Sequence, residues 1–144
     1  MKLKNILLAE DNPNDAELTI TAFSELNLAN RVDLVVDGVE VLEYLRCEGK
    51  FKGRKPEHPA VILLDIKMPR MNGIEVLQII REDPELKFIP VVMLTSSREE
   101  QDLVQTYKLG INAYVVKPVD FSQFVDAVTN LGIFWALVNE APGI

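Results

Sequence analysis

The chain has 144 residues, enough for one domain with a substantial buried core. Its 22 acidic residues outnumber 15 basic ones, a net charge of −7 that argues against a nucleic-acid partner. Cys47 alone cannot build a disulfide framework, no apolar stretch nears the ~20 residues a bilayer requires, and the N-terminus lacks a signal-peptide core, so the expectation is a cytoplasmic protein with no membrane association.

Strand-like apolar runs are predicted near 4–9, 32–36, 60–64, 89–94 and 113–116. The first and third, in KNILLAED and AVILLD, are continuous rather than alternating, as in strands buried on both faces of a parallel sheet. A helix start is signalled behind every strand. Asn12 can cap a helix with Pro13 at its first position, and Ala16, Ile20, Phe23 and Leu26 or Asn27 follow the helical period. Asp37 with Glu40, Asn72 with Glu75, Ser97 with Glu100 and Asp120 with Gln123 have capping-box spacing. A polar insert occupies 48–59; its basic cluster at 50–55 reads as a solvated loop and its His58 as plain surface. The fifth helix, about 120–138, carries Phe121, Phe124, Val125, Val128, Leu131 and Trp135 on one stripe. Alternating strands and helices imply right-handed crossovers with helices on both sheet faces. The expectation is a single α/β domain over 1–144, a doubly wound (βα)5 sandwich with no linker to a second domain.

The chemistry suggests the strand order that periodicity cannot. Glu10 and Asp11 follow the first strand and Asp65 the third. In a flavodoxin-like sheet of order 2-1-3-4-5, the topological switch point lies between those two strands, at the carboxyl edge where ligands bind. Three carboxylates converging there make a hard oxygen site suited to Mg²⁺. Thr95 ends the fourth strand and Lys117 the fifth, at the same edge. Singly these are a strand-end cap, a β-branched strand residue and a snorkelling cation. Together they suit a phosphoryl group carried on Asp65, with Thr95 donating to one oxygen, Lys117 neutralising another and Mg²⁺ holding a third.

The segments LLAEDN at 7–12, LLDIKMPRMNG at 63–73, MLTS at 93–96 and AYVVKP at 113–118 stand in the order and spacing of a known family. Over about residues 5–130 the chain resembles the receiver domain of bacterial response regulators, similar to the stand-alone type. The resemblance implies that Asp65 accepts a phosphoryl group from a phosphohistidine on a sensor histidine kinase. It implies a Mg²⁺ site of Glu10, Asp11, Asp65 and the backbone carbonyl of Lys67, and a switch of Thr95 with Tyr114, the aromatic that turns inward when the Thr moves. It implies a signalling switch rather than an enzyme, beyond self-catalysed phosphotransfer and acyl-phosphate hydrolysis. The Glu10–Asp11 pair stands where many relatives have two Asp, which alters metal geometry without removing a ligand. The positions of Lys67 and Ser97 tune acyl-phosphate hydrolysis in the family, and the Lys67 side chain is expected to shield the phosphate. The insert and C-terminal segment resemble single-domain regulators paired with phytochromes, which implies a phytochrome-like kinase. Phe121, Phe124, Phe134 and Trp135 make the last helix apolar beyond one stripe, and a homodimer through it is expected.

Other classes fit less well. An electron carrier or nucleotide-binding enzyme needs a glycine-rich phosphate loop, where this chain has EDNPND. A haloacid-dehalogenase phosphatase expects a second Asp where Lys67 stands. The alternative that remains is a phosphorylation-independent interaction module on the same fold.

Overall fold

The structure, a computed structural model, describes residues 4–25, 30–106 and 113–130. Five parallel strands are ordered β2-β1-β3-β4-β5, the order expected from the placing of the acids. They are β1 (Ile6–Ala9), β2 (Val32–Val35), β3 (Val61–Asp65), β4 (Val91–Thr95) and β5 (Tyr114–Val116). Between and after them run α1 (Pro13–Glu25), α2 (Gly38–Arg46), α3 (Gly73–Glu82), α4 (Arg98–Thr106) and α5 (Phe121–Asn130).

The continuous apolar runs are explained by burial on both sides. Every residue of β1, β3 and β4 is buried. Because side chains alternate along a strand, each run feeds two cores. Leu7, Ala9, Ile62, Leu64 and Met93 pack with Val41, Leu42 and Tyr44 of α2 and with Ile74, Leu77 and Ile80 of α3. Ile6, Leu8, Leu63, Val92 and Leu94 pack on the other face with Phe23 of α1 and Phe124 and Ala127 of α5. Phe124 therefore corrects one expectation. It is 1% exposed and its ring meets Phe23 edge-on at 4.6 Å, so it belongs to the protomer's own core rather than to a dimer face. Burying a side chain of that size contributes about 1.5–3 kcal/mol. The Phe121 side chain, Phe134 and Trp135 lie outside the described residues, as does the helix predicted beyond 130.

The predicted caps hold each helix start. Asn12 Oδ1 accepts from the backbone N–H of Asn14 and Asp15, at 2.9 and 3.1 Å. Asn72 and Glu75 form a complete reciprocal box. Asp37, Ser97 and Asp120 each accept the N–H three residues on, at 2.8, 3.2 and 2.9 Å. The returning half of those boxes goes elsewhere. Glu40 accepts from Val36 N–H, Glu100 from both the N–H and the hydroxyl of Ser96, and Gln123 from Val116 N–H.

The insert is not the solvated loop its composition suggests. Gly49–Phe51 forms a 3₁₀ turn, and Phe51 meets Tyr44 edge-on at 5.3 Å. Arg54 lies over the Tyr44 ring at 3.9 Å, donates twice to the Tyr44 carbonyl at 3.0 and 2.6 Å, and once to that of Glu57 at 2.9 Å. A cavity of about 740 Å³ lies between the insert and the edge strand β2, with Arg31, Leu34, Tyr44, Phe51, Arg54 and His58 in its lining. His58 is half-buried, and its Nδ1 is closed off with no partner among the described residues.

Candidate functional site

Parallel pairing brings the carboxyl ends of β1, β3, β4 and β5 to one edge, and the predicted residues arrive there with them. Asp65 is the last residue of β3, opposite Leu94; Thr95, the last of β4, is opposite Val116. Glu10 is 1%, Asp65 3% and Thr95 0% exposed, while Asp11 stands at the surface. One carboxylate oxygen from each of Glu10, Asp11 and Asp65 lies within 4.8 Å of the others. Oxygen ligands of that charge and spacing fit a divalent cation of the Mg²⁺ kind, as the donor set predicted.

Lys117 reaches this cluster from the end of β5. Its Nζ donates to Glu10 Oε1 at 3.1 Å, Asp15 Oδ2 at 3.1 Å and Asp65 Oδ2 at 3.2 Å. Burial alone would favour the neutral amine, but these carboxylates outweigh it and hold Lys117 above its ordinary value. Asp65 moves the other way. Burial first, then its hydrogen bond to Glu10 and the Glu10 charge, push it up to about 7 against the pull of Lys117. Three carboxylates thus face one ammonium, with Asp11 a fourth beside Glu10 and Asp65, and an acidic group of that kind is lowered in energy by a bound cation.

The backbone around Asp65 is fixed from below. Gly73, the first residue of α3, donates its N–H to Ile66 O at 2.8 Å, and a Cβ on it would run into the Asp65 carbonyl oxygen. Only glycine lets the start of α3 approach the end of β3 so closely. The intervening loop is tied to α2 by Arg70, which donates to both Asp37 oxygens at 2.8 and 3.1 Å from a left-handed backbone, φ 64°. Although burial alone would raise Asp37, Arg70 and the N–H of Glu40 hold its carboxyl below the usual range.

Thr95 and Tyr114 also lie near this edge. The Thr95 hydroxyl accepts from Gln101 at a long 3.4 Å, and its carbonyl accepts Lys117 N–H at 2.8 Å. Tyr114, half-buried, packs against the core layer that contains Met93. The Lys67 ammonium pairs with Glu100 of α4 at 3.6 Å.

Sequence reasoning missed Asp15 and the Arg70–Asp37 pair. Asp15 carries an ordinary signal, an acidic residue in a helix first turn, and nothing local shows that Lys117, 102 positions away, will meet it.

The sequence model of the response regulator receiver domain matches residues 6–129. The curated "Probable methanogenesis regulatory protein FilR2" of Methanothrix harundinacea is 36% identical over 96% of this chain and 87% of its own length. Response regulator Rcp1 of Synechocystis is 33% identical, over 92% of this chain and 88% of its own. Among solved structures, "Bacteriophytochrome response regulator RtBRR" superposes with a TM-score of 0.90 at 56% identity, covering 99% of this chain and 86% of that one. The phosphorylated cyanobacterial phytochrome response regulator RcpA gives 0.74 at 39%, covering 93% and 94%. The Mn²⁺-bound form of Rcp1 gives 0.73 at 31%, covering 97% and 99%, and the acidic cluster here fits the same kind of metal site. With its sheet order, its edge cluster and these matches in agreement, the chain belongs to the response regulator receiver domain family of two-component systems.

Proposed function

We propose that this chain is a single-domain response regulator that takes a phosphoryl group onto Asp65 from a sensor histidine kinase and passes the signal on by protein contact. The observation that carries the reading is the meeting of Lys117 Nζ, 3.2 Å from Asp65 Oδ2, with the Glu10–Asp11–Asp65 cluster at one sheet edge. An Asp65 oxygen attacks the phosphorus of a phosphohistidine, a P–O bond forms, and the P–N bond breaks with its electron pair returning to the imidazole. A bound Mg²⁺, held by Glu10, Asp11, Asp65 and the Lys67 carbonyl, supplies positive charge that lowers the cost of bringing an anion to an acidic edge. Lys117 neutralises a phosphoryl oxygen, and the Thr95 hydroxyl leaves its long contact with Gln101 to donate to another. Tyr114, beside that strand, follows Thr95 and alters the surface of α4, β5 and α5.

The 56% identity to a bacteriophytochrome response regulator and the likeness to RcpA support a phytochrome-like kinase as the donor. A homodimer through the α5 region is part of the proposal, with Phe121, Phe134 and Trp135 rather than Phe124 as its candidate contacts. Work in the cytoplasm is part of the proposal; among the described residues no helix is long and apolar enough to cross a membrane.

The test is incubation with Mg²⁺ and acetyl phosphate, then intact mass of the wild type beside Asp65→Asn. One phosphoryl group is expected on the wild type, and none in the variant or after chelation. Failure with acetyl phosphate and with a phosphorylated phytochrome-type kinase alike would favour the phosphorylation-independent module.

A further inference from the structure

Lys117 has three N–H bonds to give, and all three are taken, by Glu10, Asp15 and Asp65. Glu10 and Asp65 are shared between this ammonium and the acidic cluster; Asp15 is not a member of that cluster. Its carboxylate is 33% exposed where those of Glu10 and Asp65 are 0% and 5%, and among the described residues it accepts from Lys117 alone. Its placement is firm. Asn12 caps its N–H at 3.1 Å, and its carbonyl accepts the Thr19 hydroxyl at 2.9 Å.

Two cationic groups that draw on the same carboxylates oppose each other. An ammonium that could turn only to Glu10 and Asp65 would stand against any divalent cation those residues hold. We propose that Asp15 is a positioning residue for Lys117, drawing the ammonium toward the first turn of α1 so that it competes less with the divalent cation for Glu10 and Asp65. The inference rests on the metal-binding part of the function above. An acid in a helix first turn is favourable in any case, but that role does not depend on Lys117, and the difference can be measured.

The experiment is a double-mutant cycle on the full chain, with the Mg²⁺ dissociation constant measured by calorimetry for the wild type, Asp15→Asn, Lys117→Gln and the double variant. Asp15→Asn is expected to raise the constant by about fivefold when Lys117 is present and by less than about twofold in Lys117→Gln. Asp15→Glu should recover part of the loss. In ¹⁵N spectra of the lysine ammonium groups, the Lys117 resonance should shift more on Mg²⁺ addition in Asp15→Asn than in the wild type. An unchanged constant, or the same factor in both backgrounds, overturns the proposal; the second result would make Asp15 a through-space charge. Loss of melting temperature without coupling in the cycle would leave it a helix-start residue only, and overturns the proposal as well. If the wild type binds no Mg²⁺, the metal reading falls on its own. The Lys117 resonance in metal-free Asp15→Asn, unmoved from wild type, would then show separately that Asp15 does not hold the ammonium.

Discussion

Asp65 is a buried acid whose neighbours make it hard to ionise, and this has a consequence for stability. Its folded value of about 7 stands above the roughly 3.9 expected of an unfolded aspartate. Between those values the folded chain holds a proton that the unfolded chain has lost, so stability from this group falls as pH rises through that window and stays low above it. In Mg²⁺-free buffer, Asp65→Asn removes the penalty. The variant should be more stable than wild type by about 1–3 kcal/mol near pH 8, with the gap closing toward about pH 4. Thermal melts of both proteins across that range test it, and a gap of constant size would contradict the assigned cause. Asp65, Thr95 and Lys117 were legible in the sequence because each ends an apolar run; Asp15 was not, because its partner comes from a distant strand.

At the scale of elements, the site depends on how closely α3 approaches β3. Replacing Gly73 by Ala forces a methyl group against the Asp65 carbonyl, and either helix or strand must give. A loss of about 1–3 kcal/mol in urea unfolding is expected, together with slower phosphorylation of Asp65 by acetyl phosphate. Wild-type rate and midpoint would mean that the loop absorbs the methyl. The insert makes a second case. Polar residues at 48–59 suggested a solvated segment, yet Arg54 stacks on Tyr44 and closes three hydrogen bonds to carbonyls. Arg54→Ala should cost about 1–2 kcal/mol in the same assay while leaving Asp65 phosphorylation unchanged, since the insert packs on α2 rather than at the acidic edge. The insert's order was hidden because a stacked arginine and a hydrated one have the same composition; only the position of Tyr44 distinguishes them.

At the scale of the whole molecule, the edge residues and the expected output face share strands. Thr95 ends β4 and Lys117 directly follows β5, joined by the 2.8 Å bond from Lys117 N–H to Thr95 O, and the exposed Leu103 and Val116 stand on α4 and β5. In the proposed mechanism, movement of Thr95 and Lys117 toward a phosphoryl group would pass to this α4–β5 surface, beside the α5 region proposed for the dimer. Sedimentation at tens of micromolar should show a dimer, in equilibrium with monomer as concentration falls. A monomer throughout, with and without a phosphoryl mimic, would remove the dimer from the proposal.

The order of apolar runs, helix starts and terminal acids by itself determined the (βα)5 architecture, the sheet order and the residues at its switch point. The elements follow from local rules, since a strand buried on both faces must be continuously apolar and a helix start must satisfy its free N–H groups, and the sheet order follows from the acids that end the first and third strands at a switch point. Tertiary structure decided what depends on distance between remote segments. It gave Lys117 its third carboxylate, turned Lys67 toward Glu100, seated Phe124 against Phe23 and folded the insert onto Tyr44. Each of these is a choice among partners of equal chemistry, and only the packed chain selects which one comes within reach.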